Sequence, residues 1–114
     1  MIRKPALLLT AALVLGIATG GSAQAQVDAE AAQALAKKND CFKCHAIDKT
    51  KKGPAYKKVA ARLKPKPDAV ETIVEHVTSG HVVQLQDGTD EKHPIIGTRD
   101  PAELSNLALW ILSL

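Results

Sequence analysis

The chain has 114 residues, fifteen Lys or Arg against twelve Asp or Glu, and a formal net charge of +3. A chain this short makes one small domain with a thin core, and its single Phe, single Tyr and single Trp exclude an interior filled by aromatic side chains. Charge is unevenly spread: from Lys37 to Lys66 eleven basic residues face Asp40 and Asp48, a local excess of +9, whereas from Pro67 onward Lys92 and Arg99 face eight acids, a local −6. The basic half lacks the aromatic interleaving of a nucleic-acid surface, which argues against that class of partner. It reads either as a solvated lysine face or as a docking face for an acidic partner.

Residues 1–25 read as an export leader. Arg3 and Lys4 precede an apolar run from Ala6 to Ile17, and Ala23-Gln24-Ala25 forms a small-x-small cleavage site before Gln26. The run is shorter than the roughly 20 residues a bilayer crossing needs, and no later segment approaches that length. Residues 26–114 are therefore expected to be a soluble exported domain without a membrane span.

Periodicity within that domain points to helices throughout, and no apolar/polar alternation is long enough to argue for a sheet, so the expected fold is all-α. Val27, Ala31, Ala34 and Leu35 share one face of a first helix that ends near Asn39-Asp40. Tyr56, Val59, Ala60 and Leu63 repeat a helical spacing after Pro54, and Pro65 and Pro67 break the chain. Asp68 with Glu71 resembles a capping box for a third helix striped by Val70, Ile73, Val74 and Val77, with Gly80 as its stop. Residues 81–99 read as a long loop, and such loops are usually functional. The last helix opens on Asp100 as N-cap, Pro101 and a boxing Glu103, with Leu104, Leu107, Ala108 and Ile111 as its core stripe.

Chemistry concentrates at Cys41-Phe42-Lys43-Cys44-His45, a C-x-x-C-H run. That spacing is the attachment signature of c-type haem. Two thiols three positions apart reach the two vinyl groups on one side of the porphyrin, and the next residue offers its imidazole to the iron. Three other uses of these residues fit less well. A thioredoxin-like dithiol needs a βαβ setting. A zinc site wants a second close-spaced ligand pair, and a disulfide closing so short a loop adds little stability. One covalent haem c would also supply the core volume that so few aromatic residues leave short.

With the flanking residues added, the sequence resembles the small bacterial class I cytochromes c. A first amphipathic helix leads into the motif and Ala46-Ile47-Asp48, then Gly53-Pro54-Ala55-Tyr56-Lys57-Lys58-Val59-Ala60, and a terminal helix containing Trp110 follows a long loop. The resemblance spans essentially all of residues 26–114. It implies four helices around one covalently bound haem, with the first and last helices crossing. It also implies that Cys41, Cys44, His45, Pro54, Tyr56 and Trp110 bind the cofactor, the Pro54 carbonyl accepting a hydrogen bond from the His45 ring.

The chain departs from the family at the sixth iron ligand, which is usually a methionine in the loop before the last helix. The only methionine here is Met1. Where the family has Met-Pro this chain has His93-Pro94, so His45 and His93 are the expected iron ligands. His81 and, less favoured, His76, Lys92 or an open or water-ligated position remain alternatives. His76 lies roughly 110° from the centre of the third helix's apolar stripe, at about 100° per residue, and is expected to face solvent.

The function this implies is non-enzymatic transfer of single electrons in the periplasm, between redox proteins or as a subunit of a dehydrogenase or oxidase. The rival is a haem protein that binds or senses a small gas by releasing a loop histidine.

Overall fold

In this computed structural model the described residues are 26–114, with Ile2 and Gly16 besides; the leader expected over residues 1–25 otherwise lies outside them. The chain forms helices α1 (Ala29–Lys38), α2 (Tyr56–Leu63), α3 (Ala69–Thr78) and α4 (Pro101–Leu112), with a 3-10 turn at Cys41–Lys43. Between α3 and α4 lie two three-residue strands, β1 (Val82–Gln84) and β2 (Asp90–Lys92). None of the described helices is long and apolar enough to cross a membrane.

Helix α1 begins on Asp28, whose side chain accepts from the Ala31 N–H, and stops where Asp40 turns left-handed at φ 59°. Asp is among the few side-chain-bearing residues that adopt that conformation readily, and the turn it makes aims the chain into Cys41. The buried face of α1 is Ala32 and Ala36 with half-buried Leu35, while Ala31 and Ala34 are exposed, so the expected face is turned toward the neighbouring positions. Opposite it, α4 presents Ala108, fully buried. Alanines on both sides let the two helices approach closely, and the crossing is pinned at one end by a reciprocal pair: Asp28 N–H donates to Asn106 Oδ1 and Asn106 Nδ2 donates to the Asp28 carbonyl, each at 2.9 Å. This is the crossing of first and last helices that the resemblance implied.

Helix α4 starts as expected on Asp100, which accepts from Ala102 N–H at 2.9 Å with Pro101 in the first turn. Glu103 does not close the box directly. It accepts from Thr98 Oγ1, which in turn accepts from the Asp100 N–H at 3.2 Å, so the hydroxyl relays the cap. Replacing Asp100 by alanine removes the side-chain acceptor and should lower stability by about 1 kcal/mol; a urea unfolding curve with unchanged slope and an earlier midpoint checks this.

Helix α3 departs from expectation at its start: Asp68 occupies the N-cap position, but its side chain makes no capping hydrogen bond. Its end agrees, because Gly80 takes φ 66° and reverses the chain. The stretch 81–99, expected as a loop without regular structure, instead holds an antiparallel hairpin with Val82 opposite Lys92 and Gln84 opposite Asp90. Gly88 at φ 85° serves its turn. The fold remains helical, four helices with this small ribbon as an insert. The ribbon is tied back to α3 where the Ile96 N–H donates to the Val77 carbonyl at 2.9 Å.

Candidate haem site

The residues after the cysteines are folded back by their own backbone. Gly53 N–H donates to the Cys44 carbonyl at 2.8 Å, and the first N–H groups of α2, from Tyr56 and Lys57, donate to the carbonyls of Ala46 and Ile47 at 2.9 and 3.0 Å. Helix α2 has no side-chain cap; the segment following the motif takes that place. The consequence is that Tyr56 is delivered onto His45, their rings stacked at 4.8 Å and 15°.

His45 is thereby held on three sides. Its Nδ1 lies 2.7 Å from the Pro54 carbonyl. A carbonyl can only accept, so Nδ1 carries the proton and Nε2 keeps its lone pair. Burial lowers the His45 pKa and so favours the neutral form that ligates metals, a tendency partly offset by the Pro54 bond. On the third side Gly53 leaves no slack: a Cβ there would sit 2.7 Å from His45 Cε1 and 3.0 Å from Nδ1.

Behind this arrangement the chain's only Phe, Tyr and Trp converge. Phe42 meets Tyr56 edge-on at 6.2 Å and Trp110 at 6.4 Å, and Trp110 meets Tyr56 at 5.8 Å. Trp110 is therefore one layer behind the cavity wall, buttressing Tyr56. Phe42, which the motif leaves unspecified, is part of the support and was not singled out from sequence.

In front of His45 opens a cavity of about 280 Å³ whose walls include Cys41, Cys44, Pro54, Tyr56, His76 and His93. Protein interiors pack at crystal density, and a space this large is a binding site rather than a packing flaw. Both cysteines lie on its wall, and burial raises the Cys41 pKa. Across the cavity stands His93, whose Nδ1 lies 2.8 Å from the Pro94 carbonyl. By the same logic its Nε2 is left with a lone pair, so each of the two histidines is oriented by a prolyl carbonyl.

Their separation tests the fit of a metal between them. Two imidazoles trans on one metal, with bonds of about 2.0 Å and ring centres about 1.2 Å behind the bonding nitrogens, have centres about 6.4 Å apart. The His45 and His93 ring centres are 6.4 Å apart. Two thiols at vinyl-reaching spacing, a glycine where any side chain would strike His45, and a second imidazole at this distance together suit a haem.

His76 completes the far wall, and His81 stands beside it outside the lining. The His81 ring is stacked on His93 at 6.2 Å and 12°, with Nδ1 2.8 Å from Ser79 Oγ. His76 is not solvent-facing as expected: it lines the cavity, half-buried, 4.3 Å from the His93 ring and 4.6 Å from His81. The reason is a rotation of the buried face of α3. Ala69 and Ile73 are its most buried residues, and His76 continues that row at i+7. Burial, then repulsion from His93, His81, His45 and Arg62, lowers the His76 pKa to about 4.

A helical domain whose first and last helices cross, with a cysteine pair and an oriented histidine on one cavity, defines a class I c-type cytochrome. The chain belongs to the cytochrome c family: the family model described as "Cytochrome c" matches residues 29–114. It is 36% identical over 90 residues to cytochrome c-552 of Nitrosomonas europaea, covering 79% of this chain and 81% of that protein. It is 34% identical over 102 residues to cytochrome c-551 of Pseudomonas aeruginosa, covering 90% and 94%. Among solved structures, the class 1 cytochrome MtoD of Sideroxydans lithotrophicus ES-1 superposes with a TM-score of 0.74 at 48% identity, covering 77% of this chain and 97% of that one. Wild-type Nitrosomonas europaea cytochrome c552 gives 0.58 at 32% identity, covering 72% and 98%. The protein is accordingly a monohaem c-type cytochrome with one covalently bound haem c, and its work is electron transfer.

Proposed function

We propose that this cytochrome carries single electrons in the periplasm with its iron held between His45 and His93. The observation that carries the proposal is the pairing of two imidazoles across the cavity at 6.4 Å, each with its Nδ1 turned to a prolyl carbonyl. Bound there through Cys41 and Cys44, the haem supplies a one-electron ferric/ferrous couple. Pro54 fixes the tautomer of His45 and strengthens it as a donor, while Tyr56 and Gly53 fix its ring plane. His93 would hold the iron from across the cavity, and its imidazole would keep small molecules from that position. The leader expected over residues 1–25 supports export to the periplasm.

The exposed lysines Lys49, Lys51, Lys57 and Lys58 flank the motif, and Lys52 reaches the cavity wall. They support weak, salt-sensitive docking to an acidic surface on a redox protein, dehydrogenase or oxidase. Axial ligands set haem potential, and methionine in the sixth position raises it. Replacing His93 by methionine should therefore raise the midpoint potential by on the order of a hundred millivolts, within the roughly 0.8 V range that axial ligation spans. Potentiometric titration of the two proteins checks this, and equal potentials would remove His93 from the iron.

A further inference from the structure

We propose that His76 is a standby iron ligand: when His93 leaves the sixth position, the His76 imidazole takes it. The inference rests on the haem and on His93 as the resident ligand, and adds a role for a residue that the electron-transfer reading does not use.

Three separate segments bring three imidazoles together, and each segment is fixed by backbone hydrogen bonds. His76 rides on α3, whose Ile73 is buried in the core. His81 follows the left-handed Gly80, and its carbonyl accepts from the His93 N–H at 2.9 Å. The chain beyond His93 returns to α3 through the Ile96 N–H on the Val77 carbonyl, also 2.9 Å. His76 and His93 are thus held in register by their neighbours, whichever of the two binds the metal.

Within the cluster His76 is the better placed successor. Its ring meets that of His93 at 4.3 Å and 61°, edge against face, so removal of the His93 side chain opens the volume that His76 already abuts. A displacement of that length lies within the reach of one rotamer change of a histidine side chain. His81 stands farther off at 6.2 Å, and Ser79 engages its ring at 2.8 Å. His76 also lines the cavity itself, which His81 does not. A displaced His93 would therefore not leave an open coordination position for a gas, because a second imidazole from the same wall competes for it.

The test compares haem-loaded wild type with His76→Ala, His93→Ala and the double variant, by electron paramagnetic resonance of the ferric proteins and carbon monoxide titration of the ferrous ones. His93→Ala is expected to stay low-spin with a displaced set of g values. The double variant is expected to become high-spin, and to bind carbon monoxide about ten-fold more tightly than His93→Ala, since only molecules with His76 off the iron are competent. A His93→Ala protein that is already high-spin, with the carbon monoxide affinity of the double variant, overturns the standby role and leaves His93 as resident ligand. A double variant that remains low-spin overturns it too, by showing that another donor fills the position. If His93→Ala keeps the wild-type signal and His76→Ala loses it, the resident ligand is His76 and the underlying reading fails. Should the alanine variant accumulate poorly, His93→Gly vacates the same volume and is read in the same way.

Discussion

A protein with Cys41 and Cys44 both changed to serine, expressed beside a working haem-maturation system, should come out of denaturation colourless and should be largely unfolded before it. The core explains the size of this effect. Among the described residues, six of the fourteen buried apolar side chains are alanines, and the largest one fully enclosed is Leu107. A domain of this length already buries a small share of its surface, and its stability is the small difference between large opposing contributions. The cavity is also lined by Val59, Val77, Val83, Leu85 and Ile95, which are partly or largely exposed and which a bound porphyrin would cover. Each such side chain contributes about 1.5–3 kcal/mol when fully buried, so losing the tethered cofactor removes more than a marginal domain holds in reserve. Circular dichroism at 222 nm and the visible spectrum, read before and after denaturation, decide the outcome; a pigmented, folded double variant would contradict it.

The second large effect is expected at Gly53. Its added Cβ would meet His45 Cε1 at 2.7 Å, with Nδ1 at 3.0 Å and Nε2 at 3.2 Å. The ring can yield only by giving up its stacking on Tyr56 or the 2.7 Å contact of Nδ1 with the Pro54 carbonyl. Gly53→Ala should therefore cost about 1–3 kcal/mol by overpacking, and Gly53→Val more. The signature that separates this from a general loss of stability is spectroscopic. Displacing His45 from Pro54 weakens the proximal donor, so the potential should rise and the low-spin signal should broaden or give way to high-spin. An unchanged potential in Gly53→Ala would mean that the ring has room to move.

Much of this was legible in the sequence where a residue type has one strong physical use. Cys41, Cys44 and His45 declared the cofactor, and Asp100 with Pro101 placed the start of α4 to the residue. The absence of any methionine beyond Met1 turned attention to His93, and the structure sets His93 across from His45. What escaped had weaker local signals. The hairpin strands are three residues each, too short for alternation to register, although Asp87-Gly88 between Val82-Val83 and the second strand is a turn signal that could have raised it.

The faces of α1 and α3 were each drawn slightly off. In α1 the stripe took Ala31 and Ala34, whereas Ala32 and Ala36 are the buried alanines, and in α3 a stripe drawn through valines and Ile73 gave no weight to the buried Ala69. Turning α3 onto Ala69 and Ile73 is what carries His76 from the solvent side to the cavity wall. Periodicity reports one apolar face, and a helix that serves both a protein core and a cofactor cavity has two.

The account stands most directly on the number of imidazoles bound to iron in the wild-type protein. Electron–nuclear double resonance of the ferric form, prepared with nitrogen-15 histidine in an otherwise unlabelled chain, counts the histidine nitrogens strongly coupled to the metal. Two such nitrogens are predicted, from His45 and from His93. A single coupled histidine nitrogen would contradict the bis-histidine iron and everything inferred from the distal wall.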